Sequence, residues 1–328
     1  MSHVFVTGGS GFLGGRLIAT LRARGDRVLA LARSEKAVRR VESLGAEAIR
    51  GDLDDRRALD VGARGARIVF HCAALAEEWG PWDDFHRANV LGTANVARAA
   101  RTAGARLVHV STEAILCGRP LVRVDEAVPP PIPAVGFYGE SKRQAEDAVR
   151  RSMGEGLDAV ICRPRLIWGK GDSTLLPALV DKVRAGRFAW IGGGTHLTST
   201  CHVDNAVHGL LLAAERGKKG EIYYFTDGEP RPMREFLGAY LLTAGVDAGS
   251  KSISLWLAKA LASLCELVWR LLSKKTAPPI TKMAVLLAGE EVTIVDSKAR
   301  RDLGYAPAVT VDAGLAEMST ATPARPPA

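Results

Sequence analysis

The stretch that leaves this chain the fewest ways to fold is Val4-Phe-Val-Thr-Gly-Gly-Ser-Gly-Phe-Leu-Gly-Gly15. The apolar run Val4 to Val6 reads as a buried parallel strand. Gly8, Gly11 and Gly14 follow at three-residue spacing, and Arg16-Leu-Ile-Ala-Thr-Leu21 then has helical periodicity. In a strand–turn–helix of this kind Gly8 allows the tight turn, Gly11 admits the close approach of a pyrophosphate, and Gly14 lets helix pack on strand. The helix start presents free backbone N–H groups and a partial positive charge to phosphates. Glycine triplets by themselves also mark ordinary turns. Between a strand and a helix they point to a dinucleotide, with Gly8, Gly11, Phe12, Leu13 and Gly14 as the contact residues.

The alternation continues. Val28-Leu-Ala-Leu-Ala32 reads as a second strand ending in Arg33-Ser34, and Ala46-Glu-Ala-Ile-Arg50 as a third ending in Gly51-Asp-Leu53. Ala66-Arg-Ile-Val-Phe-His71 is a fourth, running into Cys72-Ala-Ala74. A helix spans about 89–102, Leu107-Val-His-Val110 is a fifth strand ending in Ser111-Thr112, and a helix over 140–153 leads to the strand Asp158-Ala-Val-Ile-Cys162. Strands separated by helices predict an α/β fold, a doubly wound parallel Rossmann sheet with a smaller C-terminal substrate-binding region. Sites in such sheets lie beyond the C-terminal strand ends, where Asp52, Ser111, Thr112 and Arg163 fall. Residues 1–165 are expected to form the NAD(P)-binding domain. Residues 166–318 would form a substrate-binding or lid region partly interleaved with it, and 319–328 a disordered tail. Pro129 to Pro133 is a stiff surface loop, and no internal repeat is present.

The formal net charge of +8 raises the question of nucleic acid or membrane partners. The arginines are spread along helices instead of clustering with aromatics, so a solvated surface is expected and nucleic acid is not. Five cysteines, far apart and without CxxC or Cys/His spacing, read as reduced thiols in a cytoplasmic protein. Met1-Ser-His3 leaves no room for a leader before the first strand. Residues 253–272 form a long apolar segment with Trp256 and Trp269 and one polar stripe, Lys259, Ser263, Glu266 and Arg270. Three charges argue against a membrane span. The expected roles are a buried amphipathic helix or a lid, with a helix lying at a membrane interface as the alternative.

Tyr138 and Lys142, in Tyr-Gly-Glu-Ser-Lys, lie four apart at the start of a helix and share a face. A phenol has an ordinary pKa of about 10 and is a poor acid–base catalyst at neutral pH. A neighbouring ammonium is expected to lower it. Such a tyrosine can give a proton to a ketone oxygen as hydride arrives, or take one in reverse. A hydroxyl from Ser111 or Thr112 would hold the substrate oxygen.

With these residues the chain resembles the extended short-chain dehydrogenase/reductase family from residue 4 to about 312. The motifs are Thr7-Gly-Gly-Ser-Gly-Phe-Leu-Gly14, Gly51-Asp-Leu53, His71-Cys-Ala-Ala74, Asn89-Val-Leu-Gly-Thr93, Ser111-Thr112, Tyr138 to Lys142 and Arg163-Pro164. The resemblance implies that Asp52 and Leu53 flank the adenine and that Ala73 and Ala74 line the cofactor path. It also implies that Lys142 bonds the nicotinamide ribose and Pro164 borders the nicotinamide. Arg163-Pro-Arg-Leu-Ile-Trp-Gly169, Cys201-His-Val-Asp-Asn205, Thr226-Asp-Gly-Glu-Pro230 and Ser297 to Tyr305 are most similar to one branch. It comprises the 3β-hydroxysteroid and sterol-4-carboxylate dehydrogenases with related bacterial β-keto-acid and ketone reductases. In that branch late hydrophobic segments such as 253–272 are associated with membranes, and a homodimer is common in the family.

One position departs from the pattern. Counting back from Gly118 places the catalytic hydroxyl at Glu113, whereas counting forward from the fifth strand places it at Thr112. The strand fixes where a side chain points, so Thr112 is expected, with Ser111 in reserve. At the end of the second strand a carboxylate would mark NAD and an arginine suits the 2′-phosphate of NADP. Arg33 stands there with no acid at 30–32, which points to NADP, with NAD as the alternative. His202 and His208, with Asp204 between them, lack metal-ligand spacing and read as structural. Asp204 and Asn205 read as fixing a turn, and neither Cys72 nor Cys117 is marked as a nucleophile. The expected activity is interconversion of a ketone and a secondary alcohol on a bulky apolar molecule. Its rival is a nucleotide-sugar epimerase or dehydratase, whose dehydratases carry Asp-Glu where this chain has Glu113-Ala114. A non-catalytic cofactor-binding protein ranks below both, because Tyr138 and Lys142 are present together.

Overall fold

A computed structural model describes residues 3–118, 120–272, 274 and 276–320. Its frame is a seven-stranded sheet: β1 His3–Thr7, β2 Val28–Ala32, β3 Glu47–Arg50, β4 Ala66–His71, β5 Arg106–Val110, β6 Ala159–Pro164 and β7 Ile222–Phe225. All pairings are parallel and the order is β7-β6-β5-β4-β1-β2-β3. The helices that flank it are α1 Phe12–Ala23, α2 Glu35–Ser43, α3 Arg56–Ala63, α4 Gly92–Thr102, α5 Phe137–Gly154 and α6 Val203–Arg216.

Successive strand residues face opposite sides, and β1 shows the result. Val4 and Val6 join a core with Leu17, Ile18 and Leu21 of α1 and Leu210 of α6. Phe5, between them, joins the opposite core with Leu59 of α3, Val96 of α4 and Val149 of α5. Because the sheet is covered on both faces, its strands read as continuous apolar runs without alternation.

The predicted strands of the first half are all present. Two elements differ from the sequence reading. The helix expected from 89 begins as a π-helical turn, His86–Leu91, before α4 takes over. The main sheet also gains β7, whose four residues, Ile-Tyr-Tyr-Phe, are too short a run to announce a parallel strand so late in the chain. Beyond β6 the remaining strands are short, and three of them join Leu121–Val124, which precedes β6, in a second sheet of order Arg231–Pro232, Leu197–Thr198, Val292–Ile294, Leu121–Val124. This sheet anchors a separate core that includes Ile115, Leu116, Val292 and Tyr224, with Tyr138 packed against it.

The apolar segment 253–272 forms α7, Leu255–Leu271, and its orientation reverses the burial expected of it. The buried positions are Ala258, Ala262 and Glu266, whereas Trp256 is 71%, Leu264 58% and Leu271 75% exposed. Small residues face the body of the protein, and the Glu266 carboxylate accepts the backbone N–H of Lys282 at 2.7 Å, at the start of α8, Lys282–Gly289. Leu261, Leu264, Leu267 and Leu271 face outward. Among the described residues no helix is long and apolar enough to cross a membrane. Ser319 and Thr320, assigned by sequence to the tail, close a helix, Val311–Thr320; residues 321–328 lie outside the described residues.

Candidate active site

The turn after β1 is built as its glycines require. Gly8 has φ +74°, and a Cβ there would strike the Ala73 nitrogen at 2.5 Å. A Cβ at Gly14 would collide with the carbonyl of Gly8. At Gly11, the N-cap of α1, the nearest atom would be the Gly8 oxygen at 3.3 Å, and the residue is exposed. The missing side chain at Gly11 therefore opens a concavity in front of the first N–H groups of α1, those of Phe12 and Leu13. That is a cradle for an anionic pyrophosphate.

The loops that end the neighbouring parallel strands lie at the same edge of the sheet, and the backbone of Cys72 and Ala73 touches Gly8. Asp52 turns back to accept the N–H of Leu53 at 2.7 Å, and Leu53 is buried beneath Gly92. Arg33 is exposed at the end of β2. Its neighbour Ser34 caps α2, and Arg50 on β3 is occupied by Glu35. Ala73 is half-buried and Ala74 exposed. The segment they occupy is pinned by Asn89, whose amide takes the Leu75 N–H at 2.7 Å and donates to the Leu75 carbonyl at 3.0 Å and to Ser141 Oγ at 2.9 Å. His71 bridges Thr7 and Thr93 at 2.7 and 2.9 Å. Burial, followed by the Lys142 charge, pulls His71 down to about 3, so it bridges as a neutral ring.

Tyr138 and Lys142 project from the first turns of α5. Gly139 allows the helix to approach, since a Cβ there would lie 2.7 Å from the Ala114 carbonyl. Thr112 Oγ1 donates to Glu113 at 2.9 Å and accepts the Ala114 N–H at 3.2 Å, and its hydroxyl acts on the Tyr138 phenol to lower the pKa. Ser111 instead lies beside the Glu146 carboxylate, deeper along α5. The structure thus brings Thr112, Tyr138 and Lys142 together and turns Ser111 away. Lys142 Nζ donates to the Val110 carbonyl at 2.7 Å at the end of β5. Burial pulls its ammonium down to about 8, against the opposing pull of Glu146 and then Cys72.

The phenol departs from the sequence expectation. Burial first, and the Glu113 carboxylate second, push Tyr138 well above its ordinary value; the Thr112 hydrogen bond recovers only part of this. Burial is the larger effect, and the Glu113 carboxylate adds to it.

That carboxylate belongs to one of two buried ion pairs made by the Arg163-Pro164-Arg165 run at the end of β6. Arg163 Nε and Nη2 form a fork on Glu146 at 2.8 and 2.7 Å, and Nη1 donates to the Tyr224 hydroxyl at 3.0 Å. Arg165 Nη1 pairs with Glu113 at 2.8 Å. Pro164, between them, pairs with Phe225 at the end of the sheet. Neither pair was legible as a site, because Glu113 and Arg165 are 52 residues apart in sequence.

Other candidates take structural roles. His202 caps α6 by accepting the Asp204 N–H at 3.3 Å, and Asp204 pairs with Arg16 of α1. Asn205 accepts the N–H groups of Ala308 and Val309 at 2.8 and 2.9 Å. Burial pushes the Cys72 and Cys117 thiols up to about 12, which leaves neither as a thiolate at neutral pH. The rim near Tyr138 is aromatic. Phe137 packs against Trp82 at 5.6 Å between ring centres, and Arg270 of α7 lies over the Phe137 and Trp79 rings.

The comparisons agree with this geometry. Residues 4–224 match the NAD dependent epimerase/dehydratase family. The chain is 49% identical to 4-hydroxy-2-methyl-3-oxo-4-farnesyl-3,4-dihydroquinoline-1-oxide ketoreductase of Stigmatella aurantiaca, over 98% of this chain and 97% of that one. It is 37% identical to 2-alkyl-3-oxoalkanoate reductase of Stenotrophomonas maltophilia (98% and 99% covered) and 32% identical to the decarboxylating sterol-4-alpha-carboxylate 3-dehydrogenase of Dictyostelium discoideum (97% and 100%). Among solved structures, gox2253 superposes with a TM-score of 0.78 at 29% identity, covering 96% of each chain. NAD-bound DesIV, a dTDP-glucose 4,6-dehydratase from Streptomyces venezuelae, shares the fold with a TM-score of 0.77 at 24% identity, covering 97% and 96%. The chain belongs to the NAD dependent epimerase/dehydratase family, the extended short-chain dehydrogenase/reductases, and within it stands with the ketoreductases and sterol dehydrogenases.

Proposed function

We propose that the protein is an NADP-linked reductase that converts a bulky apolar ketone to a secondary alcohol, with Tyr138 as the proton donor. The observation that carries the proposal is the convergence at the end of β5 of Thr112 with the start of α5, where Tyr138 and Lys142 lie one helical turn apart and Lys142 Nζ reaches the Val110 carbonyl. When bound, a reduced nicotinamide supplies the hydride. The chain does the rest. The open backbone at Gly11 and the N–H groups of Phe12 and Leu13 receive the pyrophosphate, Asp52 and Leu53 border the adenine, and Ala73, Ala74 and Pro164 border the remainder. Lys142 holds the nicotinamide ribose. Tyr138, kept protonated by burial and by Glu113, delivers its proton to the ketone oxygen as negative charge develops there. Residues 1–165 carry the cofactor and 166–318 the substrate.

Two features support reduction of an apolar ketone over sugar epimerisation or dehydration. The rim of Phe137, Trp82 and Trp79 offers aromatic surface. Glu113 is consumed by Arg165 and is followed by Ala114, so the second carboxylate of a dehydratase is missing at that position. The farnesyl quinoline named for the Stigmatella relative has the size and polarity this reading requires.

NADP is favoured by Arg33, an exposed guanidinium at the end of β2 whose basic neighbour Arg50 is already paired. Titration by nicotinamide fluorescence should show NADPH binding more tightly than NADH. Arg33→Ala should weaken NADPH by about 10–100-fold, the worth of a charge-assisted hydrogen-bond pair, and leave NADH unchanged. Equal loss for both cofactors, or no loss, would assign the 2′-phosphate to another residue or favour NAD.

The outward leucines of α7 suit the surface of an anionic bilayer. Between 251 and 282 stand Lys251, Lys259, Arg270, Lys274, Lys275 and Lys282 against one acid, Glu266, which is itself buried. Co-sedimentation with phosphatidylserine vesicles should exceed that with phosphatidylcholine vesicles and should drop in the double variant Leu264→Ser/Leu267→Ser. Equal recovery of wild type and variant would remove α7 as the contact.

A further inference from the structure

We propose that the hollow between α7 and α8 is a binding site, separate from the active site, for a single-chain amphiphile with an acidic head, such as a fatty carboxylate. The inference does not draw on the reductase reading.

The polar stripe of α7 splits into two tasks. Glu266 accepts the Lys282 N–H at 2.7 Å, and Arg270 lies over the Phe137 and Trp79 rings. Lys259 and Ser263, one turn apart and so on one face, take part in neither. They line a hollow of about 440 Å³, inside the range of about 300–1,000 Å³ that small-molecule sites occupy. Its opposite wall is Lys282, Val285 and Leu286, which the helical repeat places on one face of α8, with Glu290 just beyond. Pro120 and Val135 close the third side. Neither the glycine turn nor Thr112, Tyr138 or Lys142 is among the described residues around it.

The hollow exists because of which residues sit where. The two helices meet through Ala258, Ala262 and Val285, so small side chains bring them close. One position further along α7, at Ser263, no apolar side chain fills the gap that remains.

Its inside is apolar and its rim cationic. Val135 and Leu286 are half-buried residues packed on the core around Ile115 and Leu116, and Val285 is 1% exposed. At the rim Lys259 pairs with Glu290 at 2.5 Å. That leaves the Lys282 ammonium unanswered: among the described residues no carboxylate stands within ion-pair distance of it. Its backbone is held by Glu266, so the charge is presented from a fixed point of the fold. A neutral lipid in the hollow would leave Lys282 without a partner. A bare anion would answer the lysine and leave the apolar floor in water. An acidic head on an apolar chain satisfies both, with the Ser263 hydroxyl as a further donor to the head.

The site has a route to the rest of the molecule. α8 also carries Met283, whose sulfur would lie 3.3 Å from a Cβ at Gly136, the residue that opens α5. The Leu287 carbonyl on the same helix accepts Arg165 Nη2 at 3.2 Å. A chain seated on Val285 and Leu286 therefore bears on the helix that supports the approach to Tyr138.

The test is calorimetric titration of the full chain with monomeric laurate. One laurate should bind per chain, and affinity should rise about three- to fourfold per methylene from hexanoate to laurate. Lys282→Gln removes the ammonium and keeps the backbone bond to Glu266; it should weaken laurate by about 10–100-fold. Ser263→Trp, which fills the hollow from an exposed position, should abolish binding. Both variants should bind NADPH as wild type does, and Leu264→Ser/Leu267→Ser, on the outward face of α7, should bind laurate normally. The proposal would be overturned if laurate failed to bind, or if it bound Lys282→Gln and Ser263→Trp as tightly as wild type. Displacement of laurate by 2-tetralone would assign it to the active site, and acetate binding as tightly as laurate would reduce the hollow to a simple anion site; either result is contrary. No turnover is measured, so the outcome is independent of the reductase assignment.

Discussion

Replacing Tyr138 by Phe is expected to slow ketone reduction by about 10²–10⁴-fold, the range contributed by a positioned acid or base, while NADPH binding stays near wild type. The phenyl ring keeps the half-buried shape of the residue and its packing against the core around Ile115 and Leu116. What is lost is the hydroxyl that the proposed mechanism uses as its proton donor. Because Lys142, which contacts the Val110 carbonyl instead of the phenol, is undisturbed, the cofactor side of the site should not notice the change. Steady-state rates with an apolar ketone, set beside a fluorescence titration of NADPH, separate the two effects. Retained turnover would place the acid elsewhere; joint loss of turnover and NADPH binding would make Tyr138 structural.

Glu146→Ala is expected to cost about 3–5 kcal/mol of stability, the penalty for removing one partner of a buried ion pair. Glu146 is fully buried and receives the fork of Arg163 as well as Arg150 Nη2 at 2.7 Å. Its loss would strand Arg163, which is 1% exposed, near the end of β6. Burial works against the Glu146 carboxylate, but the charge and hydrogen bonds of Arg163 outweigh it and hold it below the ordinary carboxylate range. A lowered carboxylate contributes stability that is present above its unfolded value and is lost as the pH falls through its folded value. The destabilisation should accordingly be largest at neutral pH and shrink under acid conditions in which wild type itself protonates Glu146. Urea midpoints of the two proteins across pH measure this directly. Equal midpoints at pH 7 would mean that the pair contributes nothing net.

The fold was legible because its signals are local. Strands β1, β2, β4 and β6 are short, mostly apolar runs, and the glycines at 8, 11 and 14 can be read without knowing anything about the rest of the chain. Tyr138 and Lys142 were legible for the same reason, since one helical turn fixes their relation. The positions that escaped depend on contacts between distant segments. Glu113 reads as the residue after a strand-end threonine, and only folding brings Arg165 against it; the direction of the Tyr138 shift is set by burial, with the Glu113 charge second, and neither is visible in the local sequence. The leucines of α7 read as a face to be buried, yet the surface that receives the helix meets Ala258, Ala262 and Glu266. Hydrophobic periodicity gives the width of an apolar face; it does not say whether protein, solvent or lipid lies against it.

The destination of the hydride tests the reductase assignment most directly. NADPH carrying deuterium on the transferred face of its nicotinamide, incubated with the protein and 2-tetralone, should be consumed in equal measure with the ketone. The alcohol recovered should carry one deuterium at the former carbonyl carbon, and Tyr138→Phe should form little of it. Consumption of NADPH without deuterium in the alcohol, or turnover of a nucleotide sugar with no net change in the cofactor, would contradict the assignment.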